Sequence, residues 1–160
     1  MLKHLKEQAQ KGFTIIEVMI VLAIAGLILV VVLVAVPQLQ RSQRDSNREN
    51  IVSRVSTEVS NYASNNNGRL PFQSSTTVDD FEDRYLDGEV DIANPQTGND
   101  YSVDIADQVT DPPTEDQILV YPGGSCSGES VTGSLSGTSR QYAMRVAFEA
   151  GDVFFCIDNN

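Results

Sequence analysis

The chain has 160 residues, 41% of them hydrophobic, and a formal net charge of −11 at pH 7. So strong an acidic charge repels the phosphates of nucleic acid, and we do not expect the acidic bulk of the chain to bind it. All three lysines and the only histidine lie within the first 11 residues. The rest of the chain lacks these common acid–base side chains, and the sequence predicts neither an enzyme nor a bound cofactor.

An almost unbroken apolar run follows this basic start. From Phe13 to Val36 the only polar side chains are those of Thr14 and Glu17. The run has 24 residues, and about 20 apolar residues are enough for a helix to cross a bilayer. Lysines placed before a span keep the N-terminus in the cytoplasm, so we expect the bulk of the chain to be exported.

One acidic residue, Glu17, lies inside the apolar run. A charged side chain within a spanning helix is costly, so it usually marks a functional site and needs a partner. The residues from Lys11 to Glu17 read KGFTIIE. This string resembles the processing site of type IV pilins and pseudopilins, which are class III prepilins.

The resemblance implies a role for each residue of this site. In the family, a membrane peptidase cleaves after the glycine, which here is Gly12, and the new first residue is N-methylated, which here is Phe13. Cleavage would free an α-amine at Phe13, and in a filament the amine of a neighbouring subunit can pair with Glu17. A family glycine and proline, here Gly26 and Pro37, bracket a stretch that can lose helicity on assembly.

Two other interpretations of the N-terminus remain open. A secretory signal peptide has a shorter apolar core with a small-residue cleavage site behind it. The residues that follow the core here, 38–41, contain no such site. The other interpretation is a plain signal-anchor, in which Glu17 is incidental.

Residues 39–65 predict a polar amphipathic helix that continues the span beyond Pro37. Its apolar residues recur at spacings of three and four and form one stripe, which consists of Ile51, Val52, Val55, Val59, Tyr62 and Ala63. The charged residues are expected on the other faces: Arg41, Arg44, Arg48, Glu49, Arg54 and Glu58. Residues 65–68 predict the helix end, since Gly68 can take the left-handed conformation. The complete helix would have about 50 residues and a length of ~75 Å.

The remaining residues, 67–160, predict a small head, which together with the long helix makes an α+β fold. Its first part is loop-rich, with a short helix at 79–86 and a turn at 93–101 that enters a strand. Three further strands are predicted at 117–121, 141–148 and 153–157. The last two should form an antiparallel hairpin, and the antiparallel sheet should pack its apolar face on the helix stripe. The Ser-, Gly- and Thr-rich stretch 123–139 is expected to be a flexible loop.

The two cysteines, Cys126 and Cys156, enclose 29 residues. In an exported chain, a small and even cysteine count indicates a disulfide. Closing a loop of this length would stabilise the fold by ~3–4 kcal/mol. The pair also resembles the disulfide-bounded loop near the C-terminus of many pilins.

No metal site is predicted. Two cysteines and a single histidine, His4, do not make a zinc ligand set. Calcium remains open at the acidic loops, as in some pseudopilins, because Asn94, Asn99, Asp100 and Asp104 carry oxygen ligands. No spaced calcium signature accompanies these residues.

The resemblance implies a structural subunit of a type IV pilus, made as a membrane-inserted prepilin. It divides the chain into a leader (1–12), a transmembrane and filament-core helix (13–36), the amphipathic half of that helix (37–66) and a head (67–160). The implied partners are copies of the same chain in a helical homopolymer, a prepilin peptidase and methyltransferase, an assembly platform with its ATPase, and the membrane before assembly. The subunit would cross the cytoplasmic membrane once, with its head outside, and then enter an extracellular filament for adhesion, twitching motility or DNA uptake.

Two other functions remain open. A pseudopilin of a type II secretion system would form a short periplasmic piston, and bound calcium without a surface filament would indicate it. A membrane-anchored binding module that never polymerises would keep its uncleaved N-terminus at Met1.

Overall fold

The structure, a computed structural model, describes residues 12–88, 91–137, 140–150 and 152–160. The predicted leader, apart from Gly12, lies outside these residues. The α+β class predicted from the sequence is confirmed, since one long helix is accompanied by a small head with a sheet. The chain divides after Gln40 into two compact units, which are described separately below.

Helix α1 runs from Ile15 to Asn65 and passes from the first unit into the second. Its mean hydropathy reaches 3.4 over 18 residues, so by length and composition it is able to cross a membrane. Pro37 lies inside α1 without ending it, as the sequence predicts. The apolar side chains of α1 in the first unit are exposed, so the described part of this unit has no core of its own.

In the second unit, α1 ends at Asn65, within the stretch 65–68 where its end is predicted. The N–H of Gly68 donates a hydrogen bond of 2.7 Å to the carbonyl of Ala63. Asn67 and Gly68 both have positive φ values, 57° and 76°. A chain reversal of this kind satisfies carbonyls at the helix end, and glycine adopts it without strain.

Two short helical segments follow: α2 at Ser75–Phe81 and a π-helical turn at Glu82–Leu86. The predicted helix at 79–86 is therefore present, but it begins four residues earlier. Ser74 causes this earlier start, since its hydroxyl accepts the Thr77 N–H while the Thr77 hydroxyl accepts the Ser74 N–H. Such reciprocal bonds satisfy amides that an uncapped helix leaves free.

The main sheet has four strands: β1 Ser102–Ile105, β2 Gln117–Pro122, β5 Tyr142–Ala147 and β6 Phe154–Asp158. They lie side by side in the order β1-β2-β5-β6. The three strands predicted in the C-terminal part agree with β2, β5 and β6 to within a residue, and β1 follows the predicted turn. Strands β5 and β6 form the predicted antiparallel hairpin. Strand β1 pairs in parallel with β2, so the sheet is mixed rather than wholly antiparallel.

The core of the second unit lies between the helix stripe and one face of the sheet. Ile51, Val52, Val55 and Val59 are at most 4% exposed, and Tyr62 and Ala63 pack beside them. The sheet contributes side chains from β2 and β5 that alternate along each strand: Ile118, Val120, Tyr142, Met144 and Val146. The predicted packing of the sheet on the stripe is confirmed.

The opposite face of the sheet is also covered, which the sequence analysis did not predict. Residues Gly124–Ser127 form β3 and Ser130–Gly133 form β4, and the two strands make an antiparallel hairpin. The predicted flexible loop at 123–139 is therefore wrong for this stretch. A close approach of two backbone segments explains the glycine at position 123, since a Cβ there would lie 2.5 Å from the Ser134 carbonyl oxygen.

The hairpin closes a second apolar cluster on this outer face. Its buried members come from the main sheet, the hairpin and the residue after β1: Ala106, Leu119, Tyr121, Val131 and Ala143. As a result every residue of β5 is buried, not only the alternate ones. A strand covered on both faces needs side chains that are compatible with burial at every position.

Candidate functional site

The predicted cleavage site lies just before α1. Gly12, Phe13 and Thr14 have no helical structure, and α1 begins at Ile15. Phe13 is 87% exposed, and no described atom beyond its chain neighbours lies within 4 Å of where a Cβ on Gly12 would be. Within this unit, the Gly12–Phe13 peptide bond is therefore accessible and outside the helical hydrogen-bond ladder.

Glu17 has its partner within its own chain. Its Oε2 atom accepts the Thr14 backbone N–H at 2.8 Å and the Thr14 hydroxyl at 2.7 Å. In return, the Glu17 N–H donates to Thr14 Oγ1 at 3.3 Å. Thr14 and Glu17 thus form a capping box at the start of α1, with the carboxylate at the positive end of the helix dipole.

Sequence reasoning missed this contact, although a signal for it was present. A Thr followed three residues later by Glu, ahead of an apolar run, is the capping-box pattern. We expected Glu17 to need a partner and assigned that role only to the Phe13 amine. Thr14 is therefore a candidate-site residue to which the sequence analysis assigned no role.

The surroundings of the Glu17 carboxylate are apolar and open. A groove along the first turns of α1 has one charged residue, Glu17, among the described residues that line it: Phe13, Glu17, Val18, Ile20, Val21 and Leu22. Contiguous exposed apolar side chains continue along α1 as far as Val36. An apolar surface of this extent requires lipid or protein to cover it.

Gly26 and Pro37 both lie within the continuous helix α1, and so does the apolar stretch between them. Apart from the neighbouring backbone of α1 itself, no described atom lies within 4 Å of a Cβ built on Gly26. That stretch is helical here, and its loss of helicity on assembly stays a prediction.

In the second unit, Glu149 binds two arginines of α1. Arg44 donates to it from Nε at 2.7 Å and from Nη2 at 2.8 Å, and Arg41 Nε lies 3.4 Å from its Oε1. The hydrogen bonds from Arg44 hold the pKa of the Glu149 carboxyl below its ordinary value. Asp45 accepts the Glu149 backbone N–H at 3.0 Å. These contacts fix the turn after β5 against α1.

Arg48 is buried together with the stripe residues of α1, so the prediction that it lies on another face of the helix is wrong. Its side chain is only 1% exposed, and Nη1 lies 3.2 Å from the Asp45 carboxylate. Its Nη2 atom donates to Gln96 Oε1 at 2.7 Å and lies 3.4 Å from Asn94 Oδ1. A long apolar stem and a planar group of five N–H donors allow arginine to occupy such a position. Arg48 precedes Ile51 by three residues, so it extends the stripe by one helical turn.

Two of the four calcium candidates are engaged by an aspartate. The Asp116 carboxylate accepts the side-chain amides of Asn94 at 2.6 Å and Asn99 at 2.9 Å. The bond from Asn99, followed by one from Thr97, lowers the pKa of Asp116. Asp104 instead accepts hydrogen bonds from the Ser102 hydroxyl and the Gln117 side-chain amide. Within the described residues, no group of three or more His, Cys, Asp or Glu side chains is placed to hold a metal ion.

The structure contains the disulfide between Cys126 and Cys156, with the two Cα atoms 5.9 Å apart. It links β3 of the hairpin to β6 of the main sheet. The Cys126 N–H also donates to the Asp158 carboxylate at 2.7 Å. The bridge and this hydrogen bond together hold the hairpin over the outer apolar cluster.

Residues 8–33 match a family model described as the prokaryotic N-terminal methylation motif. The matched stretch contains Gly12, Phe13, Thr14 and Glu17 and most of the apolar run, and it supports a class III prepilin-type protein. The second unit lies outside the match. No curated protein matches the chain, and no solved structure matches it.

Proposed function

We propose that this chain is a structural subunit of a type IV pilus, processed from a membrane-inserted prepilin and polymerised through its N-terminal helix. The observation that carries the proposal is the matched methylation motif at the start of an exposed apolar helix. A helix with this surface serves equally as a membrane anchor and as the core of a filament, since lipid and neighbouring helices both cover apolar side chains. The subunit is not an enzyme.

Processing begins with hydrolysis of the Gly12–Phe13 peptide bond by a prepilin peptidase. One water is consumed, which leaves a carboxylate on Gly12 and an α-amine on Phe13. Methylation of this amine keeps its positive charge. The positively charged Phe13 amine then lies at the N-terminal end of the helix, where it can pair with the Glu17 carboxylate of an incoming subunit.

Assembly follows from the cost of a charge in an apolar environment. Glu17 and the Phe13 amine each resist burial alone, but an intersubunit pair satisfies both. An assembly platform and its ATPase supply the work of extraction. The anchor holds the head outside the cytoplasmic membrane until the subunit joins the filament.

The second unit supports a pilus subunit rather than a secretion pseudopilin. Its disulfide joins two cysteines 30 positions apart near the C-terminus, as in many pilins. The tip of the β3–β4 hairpin, between Ser127 and Ser130, is exposed. The head would carry the surface of the filament, for adhesion, twitching motility or DNA uptake. Its acidic charge means that DNA contact would require another component.

The test uses two variants and a matched control in cells that carry the assembly machinery. Gly12→Val should remain uncleaved, because the branched side chain replaces the small residue at the cut. Glu17→Ala should be inserted and cleaved but yield few sheared filaments. Ile16→Ala, which changes a neighbouring apolar residue, should assemble as the wild type does. Cleavage of Gly12→Val at the native position, or abundant filaments of Glu17→Ala, would refute the assigned roles.

A further inference from the structure

We propose that Thr14 is a positioning residue for processing: its hydroxyl makes α1 begin at Ile15 and so keeps the Gly12–Phe13 bond outside the helix, where the peptidase can bind it. The inference rests on the proposed function, because it concerns the same cleavage. It assigns a role to a side chain that neither provides the scissile bond nor carries a charge.

The Thr14 hydroxyl accepts a hydrogen bond whose donor a longer helix would use for its own backbone. It accepts the Glu17 N–H at 3.3 Å. If α1 extended by one turn, this N–H would instead donate to the Phe13 carbonyl, and the Ile16 N–H would donate to the Gly12 carbonyl. The Gly12 carbonyl belongs to the scissile bond, so such an extension would place that bond inside the helix.

The residues before the site make this extension a real competitor. Residues 5–11 read LKEQAQK, and every one of these residue types favours helices. Gly12 destabilises a helix that runs through it only weakly, by about the same free energy as one capping side chain contributes. A capping threonine therefore decides whether the helix begins after the cleavage site or before it.

The cap acts separately from the charge of Glu17. The bond from the Glu17 backbone to the Thr14 hydroxyl does not depend on the residue 17 side chain. Glutamine at position 17 would also keep an oxygen for the Thr14 N–H and hydroxyl. Glu17→Gln should therefore be cleaved normally and still fail in assembly, which separates the two roles.

The population of the non-helical form of the cleavage site sets the expected kinetics. Loss of a capping side chain typically shifts the helix equilibrium about fivefold. If the peptidase binds only the non-helical form, its apparent affinity falls with the fraction of the chain in that form, so it falls by at most the same factor. We expect a higher KM, by up to about fivefold, with kcat unchanged.

The experiment measures cleavage of the full chain, reconstituted with a prepilin peptidase in lipid vesicles, for four variants of Thr14. Thr14→Val keeps the shape but removes the acceptor, and Thr14→Ala removes both. Thr14→Ser and Thr14→Asn both cap helices but differ in shape. We expect Val and Ala to raise KM, by up to about fivefold, and Ser and Asn to keep the wild-type KM.

Two results would overturn the inference. Cleavage of Thr14→Val with the wild-type KM would show that the acceptor is not needed. A KM for Thr14→Asn as high as that of Thr14→Val would show that the peptidase reads the shape of threonine directly. If the wild-type chain is not cleaved after Gly12, the proposed function fails as well, so the two failures are distinguishable.

Discussion

Removal of the disulfide is expected to destabilise the second unit without unfolding it. The two cysteines are 30 positions apart, and a cross-link over such a loop removes chain entropy worth about 3.6 kcal/mol from the unfolded state at 25 °C. The change is the double variant Cys126→Ala/Cys156→Ala. Both replacements are small and apolar, so they leave the outer cluster largely intact.

The structure indicates that the fold survives this change. The hairpin retains the contacts of Val131 with the outer cluster and the bond from the residue 126 N–H to Asp158. For a unit of this size, one kcal/mol corresponds to roughly 3–6 °C in the melting temperature. The double variant should therefore unfold about 10–20 °C lower than the oxidised wild type.

Circular dichroism of the full chain in detergent measures this loss during heating. Oxidised wild type, wild type reduced with a thiol, and the double variant are compared. Ser127→Ala is a matched control, since Ser127 is an exposed neighbour of Cys126 and should leave the melting temperature unchanged. A double variant that melts within about 2 °C of the oxidised wild type would refute the argument from loop closure.

Three further predictions concern charged residues of the second unit. Arg48→Ala should cost about 3 kcal/mol in urea unfolding, because it removes a buried guanidinium and its hydrogen bonds, and a loss below about 1 kcal/mol would contradict this role. Since Arg44 lowers the pKa of Glu149, the stability from this pair should be complete above about pH 4.5 and lost as the pH falls through the folded-state pKa. Glu149→Gln should flatten that acid-side loss, and an unchanged pH profile would contradict the pairing. Burial raises the pKa of Glu82, so the charged carboxylate lowers the stability of the folded chain at pH 7. Glu82→Gln keeps an acceptor for the Val103 N–H and should raise the melting temperature at pH 7, but not below about pH 4.5. Equal melting temperatures of variant and wild type at pH 7 would count against this argument.

Periodicity was enough to predict the long helix and its buried stripe. The spacing of Ile51, Val55 and Val59 identified the side that faces the sheet, because only one face of a surface helix is buried. The same reasoning failed at Arg48, since a charged residue type is normally exposed. Its burial depends on Gln96 and Asn94, which are distant in sequence and brought near only by the fold.

The β3–β4 hairpin could not be predicted from its own composition. Glycine and serine are common in linkers, and no alternation of apolar side chains marks either strand. The small residues are needed because Gly124 approaches Val131 so closely that a Cβ would lie 2.7 Å from its side chain. That approach exists only once the hairpin has folded onto the sheet.

The candidate site was predicted in part. Gly12, Phe13 and Glu17 were identified by the motif, which is local in sequence. The contact of Thr14 with Glu17 is equally local, yet it was missed because the carboxylate was considered only as a charge in need of a cation. The structure shows that a hydroxyl and a backbone N–H provide its partners within the single chain.

The most direct test of the account is the N-terminus of the protein in its natural setting. Filaments sheared from the cell surface would be purified, and the N-terminal residue of this chain would be determined by mass spectrometry. The account predicts a chain that begins at N-methylated Phe13 and is incorporated in the filaments. A chain that still begins at Met1 would contradict processing and leave only a membrane-anchored head.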